Sequence, residues 1–150
     1  MSRKAANFGA LLLMLMMAGE GSAKVPQYFA EPGSAAPFSA AVRAGDFIFA
    51  SGQIGITANG EIPASIEDQA RLAMDNLQQA FKSAGADLSD VVKCTVMLDD
   101  MRQWPDFNKV YVSYFKPGHL PARSAFGADG LALGAGVEVE CIAYKPLGKG

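Results

Sequence analysis

Arg123, in the stretch LPARSAFG (residues 120–127), and Glu138 with Glu140, in GVEVECIAY (136–144), carry the most chemistry in this sequence. An arginine at the mouth of a short apolar strand reads in three ways: a solvated strand end, a salt-bridge partner, or a clamp for a carboxylate. As a clamp it would grip a carboxylate through two parallel charge-assisted hydrogen bonds, a fork that lysine cannot copy. Along an extended GVEVECIAY, Val137, Val139, Cys141 and Ala143 point one way, and Glu138, Glu140, Ile142 and Tyr144 point the other. A single Glu on a strand is ordinarily solvated. Here Arg123 is at hand to meet an acid, or an acidic ligand, in the same region. The other reactive residues offer less. His119, the only histidine, lies in a loop flanked by Pro117 and Gly118 and is left out of catalysis. One His and two separated Cys make no zinc site, and Cys94 and Cys141 have no metal or redox spacing. Both cysteines sit in strand-like segments and are expected to be buried free thiols. A bridge between them would need Cα atoms within roughly 7 Å.

The elements that must position these residues follow from the pattern. PFSAAV and the following residues to Gly55 read as two strands with a turn at Ala44–Asp46. Ile66 to Ala84 reads as a helix: Ser65 can cap it, Asp68 suits its first turn, and Gly85 can end it. Ala70, Ala73, Leu77, Ala80, Phe81 and Ala84 form its apolar stripe. Residues 90–99 are a strand. Pro105 and Asp106 open a second helix with Phe107, Val110, Tyr111, Tyr114 and Phe115 on its buried side, and Pro117 and Gly118 stop it. Trp104, at its start, is expected to pack. The segments around Arg123 and Glu138 are the closing strands. Together these make one α+β domain, with a five- to six-stranded mixed sheet and two helices on one face.

Two helices cover one face of such a sheet, yet two strands read as apolar on both sides. In one, Val92, Cys94, Val96 and Leu98 oppose Val91, Thr95 and Met97; in the other, Phe47 and Phe49 oppose Ile48 and Ala50. A second apolar face needs a second surface to bury it, and self-association is the economical answer.

At 150 residues, with half of them hydrophobic and 19% charged, the chain suits one globular domain. A net charge of -2 with no basic run beyond residues 2–4 argues against nucleic acid as the main partner. Residues 1–23, MSRKAANFGALLLMLMMAGEGSA, have a basic start, a short apolar run and small residues before Lys24. That is the pattern of a cleaved signal peptide, and the run is too short for a spanning helix. The expected organisation is a leader (1–23), an extended arm (24–35) and a domain (36–146). Export to the periplasm or beyond follows, with no stable membrane anchor.

PFSAAV, ASGQIG, DVVKCTVMLDDM, FNKVYVSYF, PARSAFG and VEVECIAY stand in the order and spacing of the reactive intermediate deaminase (RidA/YjgF) family, which the chain resembles over about 36–144. The resemblance implies a chorismate-mutase-like fold, a homotrimer whose sheets form a central barrel, and sites in clefts between subunits. It implies hydrolysis of 2-imino or 2-enamino acids to 2-keto acids and ammonia, with no metal or organic cofactor. By the same resemblance Arg123 grips the substrate carboxylate and Glu138 positions or activates water. Ser51 and Asn108 line the cleft, and the backbone at Ala125 and Phe126 meets the imine end. Phe38 stands where the family commonly has Tyr, and Ala125 where it commonly has Cys. The missing Tyr hydroxyl removes a hydrogen bond of about 0.5–1.5 kcal/mol, an expected weakening rather than a loss of activity. Two other classes are a non-catalytic trimeric binder of small carboxylates and a ribonuclease. The second fits an acidic chain poorly.

Overall fold

The computed structural model describes residues 25–30 and 33–148, so the leader expected at 1–23 lies outside the described residues. Among the described residues six strands form one sheet: β1 (Gln27–Phe29), β2 (Ala41–Ala44), β3 (Phe47–Ile54), β4 (Val91–Leu98), β5 (Ala122–Gly127) and β6 (Val137–Tyr144). Their order across the sheet is β1-β2-β3-β6-β4-β5. Only β4 and β5 pair in parallel, joined by a crossover that contains α2 (Trp104–Ser113); α1 (Ile66–Ser83) lies between β3 and β4 in the chain. The mixed α+β sheet with two helices is as expected. The extended arm contributes more than expected, since β1 pairs with β2 and extends the sheet by a strand.

Local signals set the helices. The Ser65 hydroxyl accepts the Asp68 backbone N–H at 3.1 Å, and Glu67 and Asp68 complement the helix dipole at the same end. Ala70, Ala73, Met74, Leu77, Ala80 and Phe81 are buried along α1, and Phe107, Val110 and Tyr111 along α2. The Tyr114 hydroxyl, donating to Asp75 Oδ1 at 2.9 Å, ties α2 to α1. Arg43 is buried on β2 without a carboxylate partner among the described residues. Its guanidinium instead donates to the carbonyls of Ala84, at the end of α1, and Lys145. Carbonyls at a helix C-terminus lack intrahelical partners and carry partial negative charge, so a cation is at home there.

Both helices cover one sheet face, built from Ile48, Ala50, Val96, Leu98, Val137, Val139 and Ala143. The other face leaves Phe47, Phe49, Val92, Phe126 and Tyr144 between 44% and 50% exposed. Two expectations need correction. Val92 does not share a face with Cys94: a register shift between Val91 and Lys93 turns Val91 into the core and Val92 outward. Nor are the cysteines free. Antiparallel pairing of β4 with β6 sets Cys94 opposite Cys141, with Cα atoms 4.1 Å apart, and the two form a disulfide. That register is tertiary information, invisible from the spacing of the two residues.

Candidate functional site

Arg123 is on the edge strand β5, in register with Cys94, and therefore faces the helices. Its guanidinium carbon lies 4.4 Å from the ring centre of Trp104 and 4.5 Å from that of Tyr111, both on α2. Residues 104, 108 and 111 are four and three positions apart, the spacing that puts Trp104, Asn108 and Tyr111 on one stripe. Three polar atoms here are buried without a hydrogen-bond partner among the described residues: Arg123 Nη1, Asn108 Oδ1 and the Tyr111 hydroxyl. Buried polar atoms are nearly always paired, so three in one cluster mark a place where a ligand or water belongs. Nη1 can only donate, Oδ1 can only accept, and the hydroxyl can do either. Burial pushes the Tyr111 phenol up, against an opposing pull from Arg123, so the hydroxyl keeps its proton at neutral pH.

Arg123 makes no salt bridge among the described residues. It is half-buried on aromatic rings, so it is not a solvated strand end either.

Glu138 lies elsewhere. It is on the open face of β6, opposite Met97 of β4 and Ile54 of β3. Its carboxylate occupies space beside Gly52, where a Cβ would overlap it. β3 is irregular between Ala50 and Gln53, and the Ser51 hydroxyl in this bend donates to the Ser39 carbonyl at 2.7 Å. Phe38, 62% exposed, lines a neighbouring cleft of about 470 Å³ together with Gln53, Ile56 and Asn76. Ala125 packs against the core beneath the helices, while Phe126 is half-exposed on the open face.

Six of the seven expected site residues thus fall into two groups, with Phe126, on the open face of β5, outside both. Phe38, Ser51 and Glu138 gather around the bend of β3; Arg123, Asn108 and Ala125 gather where β5 meets α2. In the sheet β6 and β4 separate β3 from β5, three interstrand spacings or about 14 Å. Arg123 and Glu138 also face opposite sides of the sheet, so within one chain Arg123 does not meet Glu138, unlike the expectation that it is at hand in the same region. His119 is exposed in its loop, and no metal-binding cluster exists among the described residues.

Trp104, Tyr111 and Gly52 were missed as parts of these groups. The spacing of Trp104 and Tyr111 about Asn108 was the one signal for the first two. Gly52 carried none, because its need for space arises only from the strand beside it. Gly52→Ala is expected to displace the Glu138 carboxylate while leaving the fold intact. A crystal structure of the variant should show the Glu138 side chain in a new rotamer; an unmoved carboxylate would refute the close approach.

Comparison with known proteins places these two groups in context. Residues 29–145 match the family described as Endoribonuclease L-PSP. The chain is 40% identical over 114 residues to Reactive Intermediate Deaminase A, chloroplastic, of Arabidopsis thaliana, covering 75% of this chain and 60% of that protein. It is 40% identical over 116 residues to the 2-iminobutanoate/2-iminopropanoate deaminase of Mus musculus, covering 76% of this chain and 85% of the mouse protein. The crystal structure of the YjgF gene product of E. coli superposes with a TM-score of 0.72 at 32% identity, covering 79% of this chain and 98% of that one.

Proposed function

This chain belongs to the Endoribonuclease L-PSP family, that of the RidA and YjgF proteins, and from this premise we propose that it hydrolyses 2-imino acids to 2-keto acids and ammonia. The observation that carries the reading is the Arg123 guanidinium, held on aromatic rings with no anionic partner among the described residues. A half-buried cation so placed suits a small carboxylate. The reaction then needs little more. Arg123 fixes the carboxylate, which leaves the adjacent iminium carbon open to attack. Water adds to that carbon, giving up a proton to Glu138. Glu138 returns the proton to nitrogen, the C–N bond breaks, and ammonia leaves as the adduct hydroxyl gives its remaining proton to Glu138 and the C=O bond forms; that proton then passes to ammonia, giving ammonium and restoring the carboxylate.

Glu138 and Arg123 can serve one substrate only if they come from different copies of the chain. The half-exposed Phe47, Phe49 and Tyr144 give the open sheet face reason to bury itself against another copy, and a homotrimer is the assembly we propose. Light scattering on the chain from Lys24 should report about three times the monomer mass; a stable monomer would sink both the assembly and the shared site. Export is part of the same proposal. The pattern of residues 1–23 and the Cys94–Cys141 bridge support it independently, because disulfides persist in oxidising compartments.

The decisive experiment measures ammonia release from freshly generated 2-iminobutanoate. Wild type should accelerate it, and Glu138→Gln should lower kcat by about a hundredfold or more while 2-oxobutanoate still binds, within the usual range for a positioned proton-transfer group. Binding without any acceleration by wild type would replace the hydrolase with a carrier of small carboxylates. A ribonuclease remains disfavoured by the net charge of -2.

A further inference from the structure

Arg123 is a long side chain on an edge strand, with no carboxylate partner and no second neighbouring strand to hold it among the described residues. What it touches is a series of aromatic rings along α2. Trp104 lies 5.8 Å from Phe107, Phe107 lies 5.7 Å from Tyr111, and Tyr111 lies 4.9 Å from Phe115, all as ring-centre distances. Phe107 is fully buried and Tyr111 nearly so, which anchors this series in the core. Trp104 forms its outer, half-buried end, over which the Arg123 guanidinium rests.

We propose that Trp104 is a positioning residue for the Arg123 clamp: its π-face holds the guanidinium in place before the ligand arrives. The inference rests on the reading that Arg123 takes the substrate carboxylate, and it adds a residue that this reading did not contain. The indole is the strongest cation–π partner among the side chains, and the attraction grows as water is excluded. A free arginine chain has many rotamers, so a guanidinium already seated on the ring loses less freedom on meeting its ligand. Positioning of this kind acts equally on the bound substrate and on the transition state, because the carboxylate it serves is the same in both. Trp104 should therefore influence affinity and KM, with kcat left to Glu138 and the water.

The test compares wild type with Trp104→Phe and Trp104→Leu, by calorimetric titration of 2-oxobutanoate and by 2-iminobutanoate turnover. Leucine fills much of the space but offers no π-face; phenylalanine keeps a weaker one. Trp104→Leu should weaken 2-oxobutanoate binding and raise KM by about tenfold with kcat within about twofold, and Trp104→Phe should recover most of the loss. Equal affinity of Trp104→Leu and wild type would overturn the proposal, as would a loss that Trp104→Phe fails to recover. Wild type that binds 2-oxobutanoate without releasing ammonia from the imine would sink the hydrolase and leave the role of Trp104 standing. Wild type that binds no 2-oxobutanoate at millimolar concentration would remove the clamp, and Trp104's role with it.

Discussion

Arg123→Lys is expected to lower kcat/KM for 2-iminobutanoate hydrolysis by at least about tenfold. Lysine keeps the positive charge and loses the planar fork that meets both carboxylate oxygens at once. It also gives up the broad, weakly hydrated surface that rests on Trp104 and Tyr111 in the present structure. Removing one partner of a desolvated charge pair costs roughly 2–5 kcal/mol, and each 1.4 kcal/mol is a factor of ten in rate or affinity. A tenfold loss is therefore the lower end, since lysine retains part of the attraction. The variant should keep its fold and assembly, because the guanidinium makes no hydrogen bond to the rest of the chain among the described residues. Steady-state kinetics of imine hydrolysis, with circular dichroism as the control for folding, settle the point. Full retention of activity by Arg123→Lys would end the clamp reading.

The second large effect concerns stability. Replacing both Cys94 and Cys141 by Ala is expected to lower the unfolding free energy by about 2–4 kcal/mol. The bridge joins residues separated by 47 positions in sequence. Closing a loop of that size removes many conformations from the unfolded chain, and the chain-entropy account puts the gain at about 4 kcal/mol. Urea unfolding of the double variant and of wild type in reductant should give midpoints close to each other and well below oxidised wild type. Coincident midpoints with and without reductant would mean that the bridge contributes nothing. The same bond bears on the compartment. Protein purified from the producing cell should have the mass of a chain beginning at Lys24, less two hydrogens for the disulfide. Intact Met1 in soluble cytoplasmic protein would sink export.

What the sequence determined alone was mostly local. Ser65, Gly85 and Pro105 punctuate the helices through backbone chemistry that acts within a few residues, and both ends of α1 and the start of α2 fall within a residue or two of those signals, whereas α2 ends at Ser113, four residues before the expected stop at Pro117. Alternation in GVEVECIAY assigned the valines to the core and the glutamates to the open face, because a strand's side chains have a strict period of two. The surplus of apolar residues on β3 was legible for the same reason. Where a strand departs from that period, as at the bulge between Val91 and Lys93, alternation assigned Val92 to the wrong face.

Only the tertiary structure decided which strands are neighbours. That β4 pairs with β6 turned two expected thiols into a disulfide, and that β6 runs beside β3 put the Glu138 carboxylate next to Gly52. It also set Arg123 and Glu138 on opposite faces. Motif order could name both residues, but not their separation, because sheet order and register arise from contacts between segments far apart in the chain. Trp104 shows the same limit from the other side. Its helical spacing from Tyr111 was written in the sequence, whereas the arginine resting on both rings arrives from β5, across a crossover that only the fold defines.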